Sequence, residues 1–241
     1  MLALYRIPAL VFSLCCHEWA HAYVANRCGD PTARFMGRMT INPLRHLDPL
    51  GTVMMMTMGF GWAKPVPVNP ANYRNRLADD VKVSLAGITV NFLLFLLFTA
   101  LAVGLNGLLW RADVLRVYGP EQFLRYGGIN TALVLASSEL GAVMRTPMLA
   151  PVMAFFTVAA QMNLSLAIFN LLPIPPLDGY HVFNDLLLRG RFHLSPQIAQ
   201  MGMIALLVLS FSTNILGNVM GFLAGHVHGG VLWLFLRMTG A

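Results

Sequence analysis

Residues 83–110, VSLAGITVNFLLFLLFTALAVGLNGLLW, run without a single Asp, Glu, Lys or Arg. A bilayer-spanning helix needs about 20 predominantly apolar residues, so this stretch is long enough to cross with some to spare. Residues 146–177 and 192–236 also lack those four residue types, and the last stretch could cross twice. The whole chain agrees: its 241 residues are 57% hydrophobic and only 11% charged, with mean hydropathy +0.65, where an average soluble domain carries roughly 25% charge. The formal net charge of +6 is scattered through loops and not gathered on one face. That pattern points to membrane orientation and away from nucleic acid. Cys15, Cys16 and Cys28 have no C-x-x-C spacing, so neither a disulfide framework nor a thiolate zinc site is indicated.

Working outward from that span gives an all-α polytopic membrane protein of four to six helices. A first helix is expected over about residues 2–26, stopping at "RCGDP", where Gly29 can cap it and Pro31 blocks continuation. It is expected to be retained and not removed as a signal peptide, because its polar cluster lies at its far end and no A-x-A-like site follows. Residues 32–80 change character, and the alternation in "ARFMGRMTIN" and "KPVPVNP" predicts a small β-containing insert at the membrane face. Within it "LGTVMMMTMGFGW", residues 50–62, is too short for a comfortable span and suits a re-entrant or interfacial segment. Helix 2 follows at about 82–110, then a loop or amphipathic stretch at 111–145 and helix 3 at about 147–172. A broken turn occupies 173–179, "YHVFNDLLLRG" resumes helically, and one or two further helices fill about 195–238. The chain reads as one membrane-embedded domain, residues 1–241. Ten basic residues, Arg27, Arg34, Arg38, Arg45, Lys64, Arg74, Arg76, Lys82, Arg189 and Arg191, fall on one side, against Arg6, Arg111, Arg116, Arg125 and Arg145 on the other. By the positive-inside tendency the insert and the broken turn face the cytoplasm.

The first helix carries an unusual cargo in "CCHEWAHAYV", residues 15–24. His17 and His21 are four residues apart and share one helical face, about 6 Å apart along the axis. Glu18 falls within the same arc of roughly 100°, whereas Trp19 and Ala20 point elsewhere. This is H-E-x-x-H: two imidazoles for Zn²⁺, and a carboxylate placed to take a proton from water activated there. Ionisable groups within a span cost on the order of 2.5–3.5 kcal/mol each on insertion scales and mark function. A catalytic zinc takes three protein ligands and keeps one position open, so a third ligand is needed. Asp178 stands out, because "NLLPIPPLDG" breaks helix 3 with three prolines and restarts the chain with a carboxylate. The other reading of Asp178 is an N-cap of the next helix, and the two can coexist.

"HEWAH" on the first helix followed by "NLLPIPPLDG" on a later one resembles the site-2 protease family of intramembrane zinc metalloproteases. The stretches "HAYVANRCGDPTARFMGRMTINPLRHLDPLGT", "GFGWAKPVPVNP" and "LAGITVNF" are similar to its compact bacterial branch, which lacks PDZ and CBS domains. The resemblance implies one zinc held by His17, His21 and Asp178, with Glu18 as the base. It further implies cleavage in or near transmembrane segments of membrane-protein substrates, single-span and already trimmed by another protease. A bacterial inner-membrane location follows, with the lipid bilayer as the surrounding partner. Asn91 and Asn170 match family asparagines and are candidates for substrate binding or transition-state support, against a plain interhelical hydrogen-bonding role. The alternative function is a non-proteolytic metal-binding membrane scaffold or an inactive homologue, for which Glu18 has no use. His181 is expected to pack or act beside the metal, and His46, His226 and His228 to lie at solvent or interface positions.

Overall fold

In the computed structural model, which describes residues 2–49, 51, 53, 63–125, 143–192, 195–212 and 214–239, the first helix, α1, spans Leu2–Cys28. Its end is a Schellman turn. Gly29 takes φ +112°, the Asp30 N–H donates to Ala25 O at 2.9 Å and the Gly29 N–H to Asn26 O at 3.4 Å. A residue with a Cβ is strained at that φ, which is why glycine follows the helix. A short helix α2, Thr32–Phe35, and single 3-10 turns at Pro43–Arg45 and Pro70–Asn72 lead to α3, Arg76–Leu109. Before α3, Asn75 Oδ1 accepts from the Ala78 N–H, and Asp79 Oδ2 accepts from the Asn75 N–H at 2.8 Å. The pair satisfies amides that a helix start leaves orphaned. Then come α4, Ala112–Tyr118, α5, Pro120–Arg125, a 3-10 turn at Pro147–Leu149, α6, Ala150–Leu171, and α7, Asp178–Leu187. The chain closes with α8, Pro196–Ser212, and α9, Ile215–Thr239.

Three of these helical stretches are long and apolar enough to cross a membrane: Arg76–Leu109, Pro147–Leu171 and Ile215–Thr239. With the helical content they make this a helical membrane protein. The 27-residue α1 is long enough but is not among them; Arg6 and the polar run from His17 to His21 dilute its apolar character. The 17-residue α8 falls short in length.

The expected β-containing insert is not shown. Among the described residues there is no strand, only isolated antiparallel bridges at Leu47 with Ala63 and Trp110 with Met144. "ARFMGRMTIN" instead forms α2 and turns around Gly37, φ +64°. In "KPVPVNP" Pro65 and Pro67 have no N–H to donate on one edge, the Val66 N–H on the other goes to a side chain, and Pro70 opens a 3-10 turn. Most of "LGTVMMMTMGFGW" and residues 126–142 lie outside the described residues.

The chain divides into two units. One comprises Met1–Leu10, Leu93–Leu164 and Ala224–Ala241. Its core gathers Leu109, Trp110, Leu124, Met144, Met153, Leu232 and Leu236. Leu109 O accepts from the Arg145 and Thr146 N–H groups there. The other unit is Val11–Phe92 with Ser165–Leu223. Two apolar clusters anchor it, Ala25, Cys28, Tyr73 and Val83 in one and Ala22, Ala33 and Val66 in the other. Both lie on the C-terminal half of α1, next to the histidines.

Candidate metal centre and active site

His17 and His21 emerge one turn apart on α1 and are buried, at 5% and 9% exposure. Their rings meet edge to face, with centroids 4.6 Å apart and planes at 82°. Both Nε2 atoms turn toward one point, 3.0 Å apart. The His21 Nδ1–H donates to Val83 O on α3 at 2.7 Å. That bond assigns the proton to Nδ1 and leaves Nε2 as a lone pair.

Asp178 joins them from the break after α6. Its Oδ2 lies 3.2 Å from His17 Nε2 and 3.3 Å from His21 Nε2. Leu172, Pro173 and the cis Pro175–Pro176 pair end α6, because proline lacks the N–H that the next turn requires. The N-cap of α7 is Leu177, with no side-chain cap bond. Asp178 is therefore the first helical residue, and its carboxylate turns to the histidines, not to its own helix. Gly179 permits the fold-back, since a Cβ there would sit 2.3 Å from Leu171 O.

The donor set fits a divalent cation. One atom each from His17, His21 and Asp178 lies within 4.8 Å of the others. The pairwise separations of 3.0, 3.2 and 3.3 Å match the spacing of about 3.3 Å between tetrahedral ligands held at 2.0–2.1 Å from one zinc. Asp178 Oδ2 is buried with no hydrogen-bond partner, which a cation would satisfy and which its absence leaves costly.

Two residues of α3 complete the pocket. Gly87 is one that the sequence reasoning did not single out. A Cβ at that position would fall 2.5 Å from His17 Cε1 and 2.6 Å from His21 Nε2. Asn91, fully buried, places Nδ2 3.2 Å from His17 Nδ1, while its Oδ1 has no partner. Turning the amide over puts Oδ1 on the Nδ1–H of a ligating His17 and relieves the orphaned oxygen. Asn91 thus touches the histidine from behind. Asn170 Nδ2 donates to Leu166 O within α6, at 3.0 Å.

Glu18 Oε2 accepts the Val66 N–H at 2.7 Å, so the "KPVPVNP" segment runs beside the glutamate. Two further polar residues, unflagged in the sequence, hold that segment. Arg38 Nη2 donates to Lys64 O and Pro65 O at 2.8 and 3.2 Å. Asp30 accepts from the Asn69 N–H at 2.7 Å, the Asn72 amide at 2.8 Å and the Thr32 hydroxyl. His46, expected at solvent or an interface, is buried at 1% exposure and its ring meets Thr40 O. His181 Nδ1 lies 3.4 Å from Asp80 Oδ2.

The profile of peptidase family M50 matches residues 5–212. YwhC of Bacillus subtilis, named as a zinc metalloprotease, is 37% identical over 205 residues, covering 85% of this chain and 79% of YwhC. Rip2 of Mycobacterium tuberculosis, which carries the same kind of name, is 29% identical over 233 residues, covering 95% of this chain and 72% of Rip2. No solved structure matches the chain.

Proposed function

The chain belongs to peptidase family M50, the site-2 protease family, and from that premise we propose that it is a zinc endopeptidase cutting peptide bonds in or near transmembrane segments of other membrane proteins. The observation that carries this is the convergence of His17 Nε2, His21 Nε2 and Asp178 Oδ2 on one point, with Glu18 one residue away on α1. Bound by these three, zinc supplies the positive charge that polarises a scissile carbonyl and makes water acidic enough to attack near neutral pH.

The chain's own residues supply the rest. The Val66 N–H occupies Glu18 Oε2, leaving Oε1 to take the proton as the water oxygen bonds to the carbonyl carbon. Glu18 then passes that proton to the amide nitrogen as the C–N bond breaks, giving a carboxylate and an amine. Asn91 and Val83 O orient the imidazoles. Three apolar helices support a membrane setting. The excess of basic residues around the insert and α7 favours an inner-membrane protein with its site toward the cytoplasm. Substrates are then single-span proteins shortened beforehand, as the family resemblance implies.

Glu18→Gln tests the reading. The variant keeps one zinc per chain and loses turnover by about 10²-fold or more, the scale of a lost general base. Membrane proteomes of cells carrying it accumulate single-span fragments absent with the wild type. If both proteins hold zinc and no fragment accumulates under several stresses, the chain is a metal-binding scaffold.

A further inference from the structure

The pattern K-P-V-P over residues 64–67 leaves a single amide proton between two prolines. That proton, on Val66, is the one donated to Glu18 Oε2 at 2.7 Å. The Lys64 N–H donates to His46 O at 2.8 Å, and beyond it no strand pairs with residues 65–69 among those described, so side chains hold the backbone around Val66. The Arg38 Nη2 bonds to Lys64 O and Pro65 O grip the two carbonyls immediately before Val66. Arg38 is itself buried, at 7% exposure, and its own N–H donates to Ala33 O at 2.8 Å. The Val66 side chain sits with Ala22 and Ala33, which anchors the same residue onto α1. Burying a guanidinium to satisfy two carbonyls is costly where apolar contact alone would have sufficed. The cost is understandable if the direction of the Val66 N–H matters.

We propose that Arg38 is a positioning residue for Glu18, acting through the backbone of residues 64–66. Arg38 fixes the two carbonyls, the Val66 amide is thereby aimed at Oε2, and Oε1 is left facing the reacting water. The catalytic consequence rests on the general-base role given to Glu18 above; the mechanical link from Arg38 to Val66 does not.

The two parts have separate readouts in the full-length protein in detergent. Hydrogen exchange at Val66, read by mass spectrometry with fragmentation, is isolated by the flanking prolines, which have no amide to exchange. In the wild type this amide is protected. In Arg38→Ala it exchanges about tenfold faster or more, as a locally opened hydrogen bond does, and in Arg38→Lys, which keeps a donor, protection returns. Turnover is read on a single-span peptide cleaved by the wild type and not by Glu18→Gln. Val66→Pro, which deletes the proton and keeps an extended backbone, and Arg38→Ala each lower kcat about tenfold, the scale of a misplaced catalytic group. KM and zinc content stay within about twofold, and combining the two changes adds little because they act on one contact. Unchanged Val66 exchange in Arg38→Ala overturns the link. Wild-type turnover in Val66→Pro overturns the consequence. If no peptide is cleaved, the protease reading fails while exchange still decides the link.

Discussion

A Cβ at residue 87 would lie 2.5 Å from His17 Cε1 and 2.6 Å from both His17 Nδ1 and His21 Nε2, so the approach of α3 to the histidine face of α1 depends on a hydrogen in place of a methyl group. Neither imidazole can retreat freely, since His21 is tied to Val83 O and His17 to Asn91. Gly87→Ala is therefore expected to weaken zinc about 10–100-fold, as losses of support behind a metal ligand do, while leaving helix content intact. Competition with a chromophoric chelator reads the affinity and circular dichroism the fold; wild-type affinity would show that α3 simply shifts away. The residues that converge here differ in how legible they were. His17, Glu18 and His21 announce themselves because a four-residue spacing on a helix is local geometry. Asp178 was visible as a carboxylate after a proline break. Gly87 was not, because its role depends on a helix–helix distance, and glycine is common in membrane helices for several reasons. Asp30 and Arg38 were hidden likewise, as ordinary loop charges whose partners lie 39 and 26 residues away.

Among the elements, α7 presents Asp178 at its start, and its far end poses a separate electrostatic problem. Asp185 on α7 faces Asp80 and His181, with Arg76 nearby; burial and the hydrogen bond with Asp80 push its carboxyl up to about 6. For an acid raised in the folded state, the native protein holds the proton through a window in which the unfolded chain has released it. Its contribution to stability is thus greatest at low pH and is lost as pH rises between about 4 and 6. Asp185→Asn keeps a donor toward Asp80 without the charge. It is expected to raise Tm at pH 7.5 relative to wild type and to change it little at pH 4.5. An equal shift at both pH values would mean that the two carboxylates do not share a proton. The insert shows the limit of local pattern. Alternating "KPVPVNP" is compatible with a strand, but alternate prolines strip one edge of donors and the Val66 N–H on the other edge goes to Glu18. The segment is instead held by Glu18, Asp30 and Arg38, contacts that no periodicity encodes.

For the whole molecule, apolar length was the most legible property, because the bilayer's thickness imposes it on sequence directly. The one or two helices expected over about 195–238 resolve into a 17-residue α8 and a 25-residue α9, and only the latter is long enough to count as a span. Orientation is read from ten basic residues on one side against five on the other. Among the described residues Arg76–Leu109 is the single candidate span between Leu44 and Asp113, so with that one crossing these two positions open on opposite faces. Both are well exposed, Leu44 at 80% and the Asp113 side chain at 64%. With Cys15, Cys16 and Cys28 replaced by Ala, a membrane-impermeant maleimide is expected to label Asp113→Cys in intact cells and Leu44→Cys only in inverted vesicles. The reverse pattern would place the insert and α7 outside and overturn the cytoplasmic site. Labelling of both from one side would overturn a single crossing between them by Arg76–Leu109, the segment that most plainly reads as a span.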